Sequence, residues 1–381
     1  MINRQRLVAE FLELVQIDSL SKREGRIAKR LTQTLEGMGV TVEEDDAGRT
    51  VGGEAGNLLA KLPGTAPAAA PLLLCAHMDT VVPGENVKPV TSGDTIRTDG
   101  TTVLGGDDKA GLVAILEALR VLRERKIPHG PIDVLFTICE EYGLIGAKHF
   151  DVGRLRARSG LVLDVDGVCE LVTQAPAANK LEFTVHGLEA HAGVCPEQGL
   201  SAVKIAGEAI AVMRLGRIDG ETTANLGLIE GGMAVNIVPN RVRVRGETRS
   251  RSLAKLQEQT EHMRCCFEDA AARHRISVGG CLHSARVDAK VERDYDRLDL
   301  PDDAPIVKLM TRAAASLRKP FKTRATGGGC DANVLNGRGL QIANLACGMR
   351  EIHTVNEWID VRDMVATAEL LVEAVRLNAA G

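Results

Sequence analysis

"PLLLCAHMDTVVPG" (residues 71–84) is a short apolar run that ends in two polar residues, His77 and Asp79. An uninterrupted apolar run of this length reads as a strand buried on both faces, the kind a parallel sheet uses. Side chains alternate along a strand, so His77 and Asp79 fall on the same side. Taken alone, a histidine at a strand end is more often a satisfied imidazole than a ligand. What it means here depends on what the other strand ends carry.

Outward from this run the first part of the chain alternates helix and strand. Helical periodicity covers about 2–17 and 22–38, followed by a β-rich run at 40–45 and strands "NLLAKLP" and "PLLLCAHM". A helix "GDDKAGLVAILEALRVLRERK", a strand "IDVLFTIC", a short helix near "GLIGAKHF" and a strand "GLVLDVD" follow. This predicts an α/β domain with a mostly parallel central sheet flanked by helices. After "TQAPAANK" the pattern changes. Strand "LEFTVHG", a helix at about 199–214, strands "TANLGLIEGG", "AVNIVP" and "RVRVRGETRS", a helix at about 252–274 and a strand "RISVGGCLHSARV" follow, and with the short "AVNIVP" as an extra strand the order is β-α-β-β-α-β. That is a ferredoxin-like α+β arrangement. The polar stretch "VERDYDRLDLPDDAP" reads as a connection into a helix at about 304–317, and a final helix is expected at 360–378. The organisation predicted is a catalytic domain of 1–178 and 291–381, interrupted by a smaller domain at 179–290.

The 381 residues are 44% hydrophobic, enough for two cores. A formal charge of −4 offers no electrostatic case for nucleic acid or an anionic membrane as partner. One Trp, two Tyr and six Phe leave little for base stacking. The N-terminal stretch reads as an amphipathic helix rather than a signal peptide, and no stretch approaches the roughly 18 apolar residues of a membrane span. Nine cysteines without a C-x-x-C pair argue for a reducing compartment, so a cytoplasmic location is expected.

Polar stations recur where the α/β elements meet. Asp107 and Asp108 in "LGGDDKAG" open a helix, Glu140 and Glu141 in "TICEEYG" end a strand, Asp164 and Asp166 share one face of "LVLDVDG", and His353 in "MREIHTVNEW" follows the last strand. "DD" before a helix is ordinarily a cap with dipole compensation, and "EE" is ordinarily a solvated pair. Five such stations at successive strand ends, where open α/β sheets build their sites, outweigh those readings. Imidazole nitrogen and carboxylate oxygen are the non-thiolate ligands of zinc. Two imidazoles and three carboxylates exceed one catalytic zinc but serve two if a carboxylate bridges. The Glu140–Glu141 pair offers one ligand and one base, and Asp79 is placed to orient the His77 imidazole.

The run "AHMDTVVPG…DGTTVLGGDDKAG…EEYGLIGA…DVDG…AHAGV…VNIVP…TGGGCDAN…IHTVNE" resembles the di-zinc metallopeptidases of the aminoacylase and glutamate-carboxypeptidase type, and most of all their peptidase T (tripeptidase) branch. The resemblance covers nearly the whole chain in order. It implies a zinc-binding catalytic domain with a lid or dimerisation domain and a homodimer formed through that lid. It further implies two zinc ions, with cobalt or manganese as substitutes. Carried over by position, His77 binds the first zinc, Asp107 bridges both, Glu141 and His353 bind the second, and Glu140 is the general base. Asp166, before a glycine, completes the first zinc, with Asp164 the alternative that spacing leaves open. The Asp107–Asp108 peptide is implied to be cis. From the lid, His191 would stabilise the oxyanion, in the partner subunit's site, while Asn236 and Arg249 face substrate. Arg249 with the Gly328–Gly329 backbone would hold a substrate carboxylate. On their own residues, these lid positions read as ordinary surface and turn.

The reaction expected is hydrolysis of amide bonds in short peptides, in the manner of a tripeptidase or exopeptidase. A deacylase of N-acyl amino acids or a carboxypeptidase would use the same machinery with another pocket, and a non-catalytic binding protein is the reading from a different class. The compact "VVPGENVKPV" segment departs from peptidase T proper and leaves strict tripeptide specificity open.

Overall fold

The structure, a computed structural model, describes residues 2–381. The described chain divides into two compact units, one of residues 2–174, 298–326 and 330–381, the other of 175–297 with 327–329.

In the first unit the sheet runs, in spatial order, Val42–Glu44, Leu58–Leu62, Ile132–Thr137, Leu72–His77, Ser159–Val162, Gln341–Leu345, Glu170–Ala175 and Leu298–Asp299. Lys322–Ala325 pairs with Glu170–Ala175 off this path. The four middle strands are parallel, and every residue of Leu72–His77 and Ile132–Thr137 is buried. Burial on both faces is why these segments read as unbroken apolar runs. Leu72–His77 has Ile132–Thr137 on one side, with Cys75 opposite Leu135, and Ser159–Val162 on the other, with Cys75 opposite Val162. Successive strands thus depart to opposite sides of one strand, which opens a crevice at its carboxyl end. His77 stands there.

Helix Gly106–Glu124 packs on the Leu72–His77 strand and against helices Arg4–Val15 and Val361–Ala380. It is buried nearly all round, which accounts for its apolar sequence "AGLVAILEAL". Its buried Glu117 is paid for by Arg6, whose Nε donates at 2.7 Å, and by the Asn3 backbone N–H at 2.9 Å. A four-stranded antiparallel sheet was not foreseen. It consists of Val90–Ser92, Thr95–Arg97, Met349–Arg350 and Trp358–Asp360. These strands are too short to give a periodic signal, yet Arg350 opposite Trp358 closes the base of the loop that carries His353.

In the second unit, antiparallel strands Ala177–His186, Thr222–Gly231, Arg241–Ser250 and Arg286–Tyr295, with the short Gly216–Arg217, form one sheet. Helices Ala202–Ala211 and Leu253–Ala272 back it, and Phe183 stacks on Phe267 with ring centroids 4.4 Å apart in the core. Two expected strands are corrected. "AVNIVP" forms no strand and lies in a turn held by the bridge between His191 and Ile237. "RISVGGCLHSARV" is not one strand: Arg275–Val278 and Cys281–Ser284 form a hairpin, because Gly279 and Gly280 (φ 58° and 78°) supply a tight two-residue turn. The last long strand, Arg286–Tyr295, takes in the first five residues of what reads as a polar connection. It is an edge strand carrying exposed Asp288, Lys290 and Glu292, the charged pattern that keeps edges from pairing.

Candidate metal centre

The site residues are delivered by five separate elements. His77 ends its strand, Glu140 and Glu141 follow Ile132–Thr137, Asp164 follows Ser159–Val162, Asp107 lies in the first turn before the helix proper, and His353 comes from the loop after Met349–Arg350. Asp107 and Asp108 are non-helical, and the peptide between them is cis.

Asp107 is the hub. Its Oδ1 lies 2.9 Å from His77 Nε2 and its Oδ2 lies 3.1 Å from His353 Nε2. His353 Nε2 is also 2.8 Å from Glu141 Oε1, and His77 Nε2 is 3.8 Å from Asp164 Oδ1. Two donor groups result, His77–Asp107–Asp164 and Asp107–Glu141–His353, each with its atoms within 4.8 Å of one another, and they share one carboxylate. A third group joins His77, Glu140 and Glu141. Donors on a tetrahedral zinc with bonds near 2.0–2.1 Å lie about 3.4 Å apart, so the spacing suits a metal.

The electrostatics point the same way. Burial, with the charges of Asp107 and Glu140, pushes the Asp164 carboxyl well above its ordinary range. Burial likewise raises Glu140, with Asp331, Glu141 and Asp79 adding and His77 opposing. Burial disfavours charge on His77, yet its bonds to Asp107 and Asp79 hold its pKa well above the usual value. Hydrogen bonds to Asp107 and Glu141 push His353 up to about 10. Burial works against the Asp107 carboxylate, but His353 and His77 hold its pKa below the ordinary value. This many buried carboxylates around two imidazoles gather protons unless a cation takes their place, and metal binding releases them. The donor set therefore fits divalent metal ions.

Supporting groups fix the ligands. The Asp79 backbone oxygen lies 3.1 Å from His77 Nδ1, and its carboxylate Oδ1 is 3.4 Å away, which leaves Nε2 to face Asp107. Asp79 also accepts from the backbone N–H groups of Glu140 (2.9 Å) and Glu141 (3.2 Å) and from the Ser21 hydroxyl (2.6 Å). Asp108 turns away from the donor groups and accepts from the His77 and Gly111 N–H groups at 3.1 and 3.0 Å. A Cβ at Gly111 would stand 2.4 Å from Asp108 Oδ1 and from the Leu163 carbonyl, so only glycine lets this helix close on the strand end. Glu357, pushed up to about 7 by burial and by the charge of Asp107, accepts from the Gly105 and Asp107 N–H groups. It ties the His353 loop to the Asp107 turn. Lys109 is fully buried beside Asp79, its Nζ 3.4 Å from the Asp79 carbonyl.

Asp166 is not among the residues brought together. Its side chain is 58% exposed and its Oδ1 pairs with Arg324 at 2.5 Å. The strand ends at Val162, so the alternation that puts Asp164 and Asp166 on one face does not extend to Asp166. Asp164 is pinned at the site because Asn344 accepts its N–H at 2.9 Å and donates to its carbonyl at 2.7 Å. Ser21, Lys109, Asn344 and Glu357 carry no signal in isolation. Asp331 had one, in "GGGCD": it is buried, accepts from the Thr137 hydroxyl at 2.5 Å and is pushed up to about 6 by burial.

The remaining predicted residues belong to the second unit. His191 is exposed, and its Nδ1 accepts from the Gly193 N–H at 3.2 Å, so Nε2 carries the proton. Asn236 is exposed and accepts from the Ala192 N–H through its backbone. Arg249 makes a bidentate pair with Glu247 at 2.8 and 3.0 Å. Gly329 lies so close to the Tyr295 ring that a Cβ would stand 2.4 Å from it, whereas Gly328 has open space at that position.

The sequence model of peptidase family M20/M25/M40 matches residues 73–377. The chain is 44% identical over 376 residues to the uncharacterized protein YqjE of Bacillus subtilis, covering 98% of this chain and 99% of that one. Among solved structures it is similar to the aminopeptidase PepT of Bacillus cereus (44% identity, TM-score 0.88, all of both chains). It is also similar to a tripeptidase of Staphylococcus aureus (37% identity, TM-score 0.92, all of both chains).

Proposed function

Because the chain belongs to peptidase family M20/M25/M40, we propose that it is a di-zinc exopeptidase of short peptides, tripeptides first among them. That it is a metallopeptidase, hydrolysing peptide bonds with metal, follows from the family and the similar peptidase structures. The observation that carries the finer reading is the carboxylate of Asp107, shared between two donor groups that each add an imidazole and a second carboxylate.

In this reading His77, Asp107 and Asp164 would hold one zinc, and Asp107, Glu141 and His353 would hold the other; cobalt or manganese would suit the same donors. Bound zinc supplies an acidified water and a Lewis acid for the scissile carbonyl. Glu140 takes the proton as the water attacks and returns it to the departing amine, which balances the reaction as amide plus water to acid plus amine. Asp79 keeps His77 in the ligating orientation. His191 would donate from Nε2 to the developing oxyanion, supplied by the partner of a homodimer formed through the second unit. Arg249 would use its remaining N–H donors on a substrate carboxylate beside the Gly328–Gly329 backbone, and Asn236 would line the same substrate. We place the protein in the cytoplasm, a reading supported by nine free cysteines. Among the described residues no helix is long and apolar enough to cross a membrane.

Two measurements check this. Metal-loaded protein should hydrolyse tripeptides faster than dipeptides and N-acyl amino acids, and a chelator should abolish the activity. Preferred release of acyl groups from N-acyl amino acids would make it a deacylase instead. Asp164→Asn should lower bound metal from two per chain toward one, with kcat down at least about 100-fold. Asp166→Asn should keep both metals and stay within about threefold of the parent kcat. The reverse outcome would return the ligand role to Asp166.

A further inference from the structure

We infer that Glu24 is a positioning residue for the hydrolytic step: it fixes the turn that aims Glu140, an inference that rests on Glu140 being the base. The chain leaves the Ile132–Thr137 strand through Cys139, whose φ of 49° lies in the left-handed region that a residue with a β-carbon disfavours. Such a conformation persists only where its surroundings over-determine it. Here three consecutive N–H groups donate to two buried carboxylates. Cys139 N–H reaches Glu24 Oε1 at 3.0 Å, and the Glu140 and Glu141 N–H groups reach the two oxygens of Asp79. The Cys139 thiol donates to the same Glu24 oxygen at 3.2 Å.

Asp79 already has a task at His77. Glu24 has none there: it belongs to none of the donor groups, and it is fully buried. A buried carboxylate is costly, and the contact made here is to the turn one residue before Glu140. The segment that carries Glu24 is anchored on the same elements. Thr80 N–H donates to the Ser19 carbonyl at 3.0 Å, the Ser21 hydroxyl donates to Asp79, and Lys22 Nζ sits 4.0 Å over the Tyr142 ring. Residues 19–24 thus grip both the His77 strand end and the Glu140 turn. Displacing a catalytic group by about 1 Å can cost on the order of 100-fold in rate, so a lost grip should appear in the chemical step.

The test compares Glu24→Ala, Glu24→Gln and Glu24→Ala/Cys139→Gly, all metal-loaded. Glu24→Ala should lower kcat about 30–100-fold with KM and bound metal within twofold of the parent. Gln keeps an acceptor oxygen and should recover most of the rate. Glycine at 139 accepts the left-handed backbone without a β-carbon and should restore part of it in the double variant. In the metal-free protein, hydrogen exchange over 138–144 should quicken in Glu24→Ala and not in Glu24→Gln. An unchanged kcat, a loss of metal in step with the loss of rate, or no gain from glycine overturns the inference. If Ala at 24 does not fold, Glu24→Asp decides, since it keeps the charge and withdraws the acceptor by one methylene. About tenfold lower kcat with normal metal supports positioning, and unchanged kcat refutes it. Persistent turnover in Glu140→Gln would instead remove the base reading. A dead Glu140→Gln beside a fully active Glu24→Ala removes the inference alone.

Discussion

Glu140→Gln is expected to lower kcat by about 10³-fold or more, close to 4 kcal/mol of transition-state stabilisation, while two metals per chain remain bound. The amide has the shape of the carboxylate and can neither accept the proton of the attacking water nor carry it to the leaving amine. Glu140 is 8% exposed, and its backbone is held by Asp79, so the substitution has little room to rearrange the turn. Steady-state kinetics on a tripeptide with metal analysis of the same sample make the measurement. Retained turnover would show that another group moves the proton. Loss of metal would place Glu140 among the ligands, which the neighbouring His77–Glu140–Glu141 group makes a meaningful alternative outcome.

Asp107→Asn should do more damage to the site as a whole. Both oxygens of Asp107 are engaged, one toward each imidazole, and among the described residues no other carboxylate belongs to both the His77–Asp164 and Glu141–His353 groups. The amide offers a single acceptor oxygen and no charge. After dialysis against metal-free buffer the variant should hold no more than one weakly bound metal per chain. Peptide hydrolysis should fall at least about 10³-fold, and the thermal stabilisation that added zinc gives the parent should shrink with it. Two metals held at parental affinity would mean that Asp107 does not bridge. The contrast with Asp166→Asn, which lies outside the donor groups and pairs with Arg324, controls for general loss of acidic charge.

Around the shared carboxylate, His77, His353 and the pairs Asp107–Asp108 and Glu140–Glu141 were legible in the sequence as stations at element ends, whereas the choice of Asp107 and of Glu141 within the pairs came from the family resemblance. Each follows a strand or opens a helix in a segment whose apolar pattern is unambiguous, and a residue's place at the end of such an element is a local property. Asp164 against Asp166 was not legible, because the choice depends on where a strand stops pairing, and pairing is made with Gln341–Leu345, distant in the chain. Glu24, Ser21 and Glu357 reach the site across sequence separations of 115, 58 and 250 positions through one or two hydrogen bonds each. A lone polar residue in a loop carries no periodic signal of that reach.

The second unit shows the same division. Its opening β-α-β-β-α order was legible from alternating strands and amphipathic helices. Its last strand was not, since Arg286–Tyr295 is charged like a linker and becomes a strand by pairing with Ala177–His186. The sequence by itself therefore determined the fold class and the chemical kind of site, because burial writes its period into the chain and metal-binding groups are few. Only the tertiary structure decided which carboxylate faces the shared Asp107 and which buried groups hold the Glu140 turn, because those depend on distances between segments that pattern alone does not bring together.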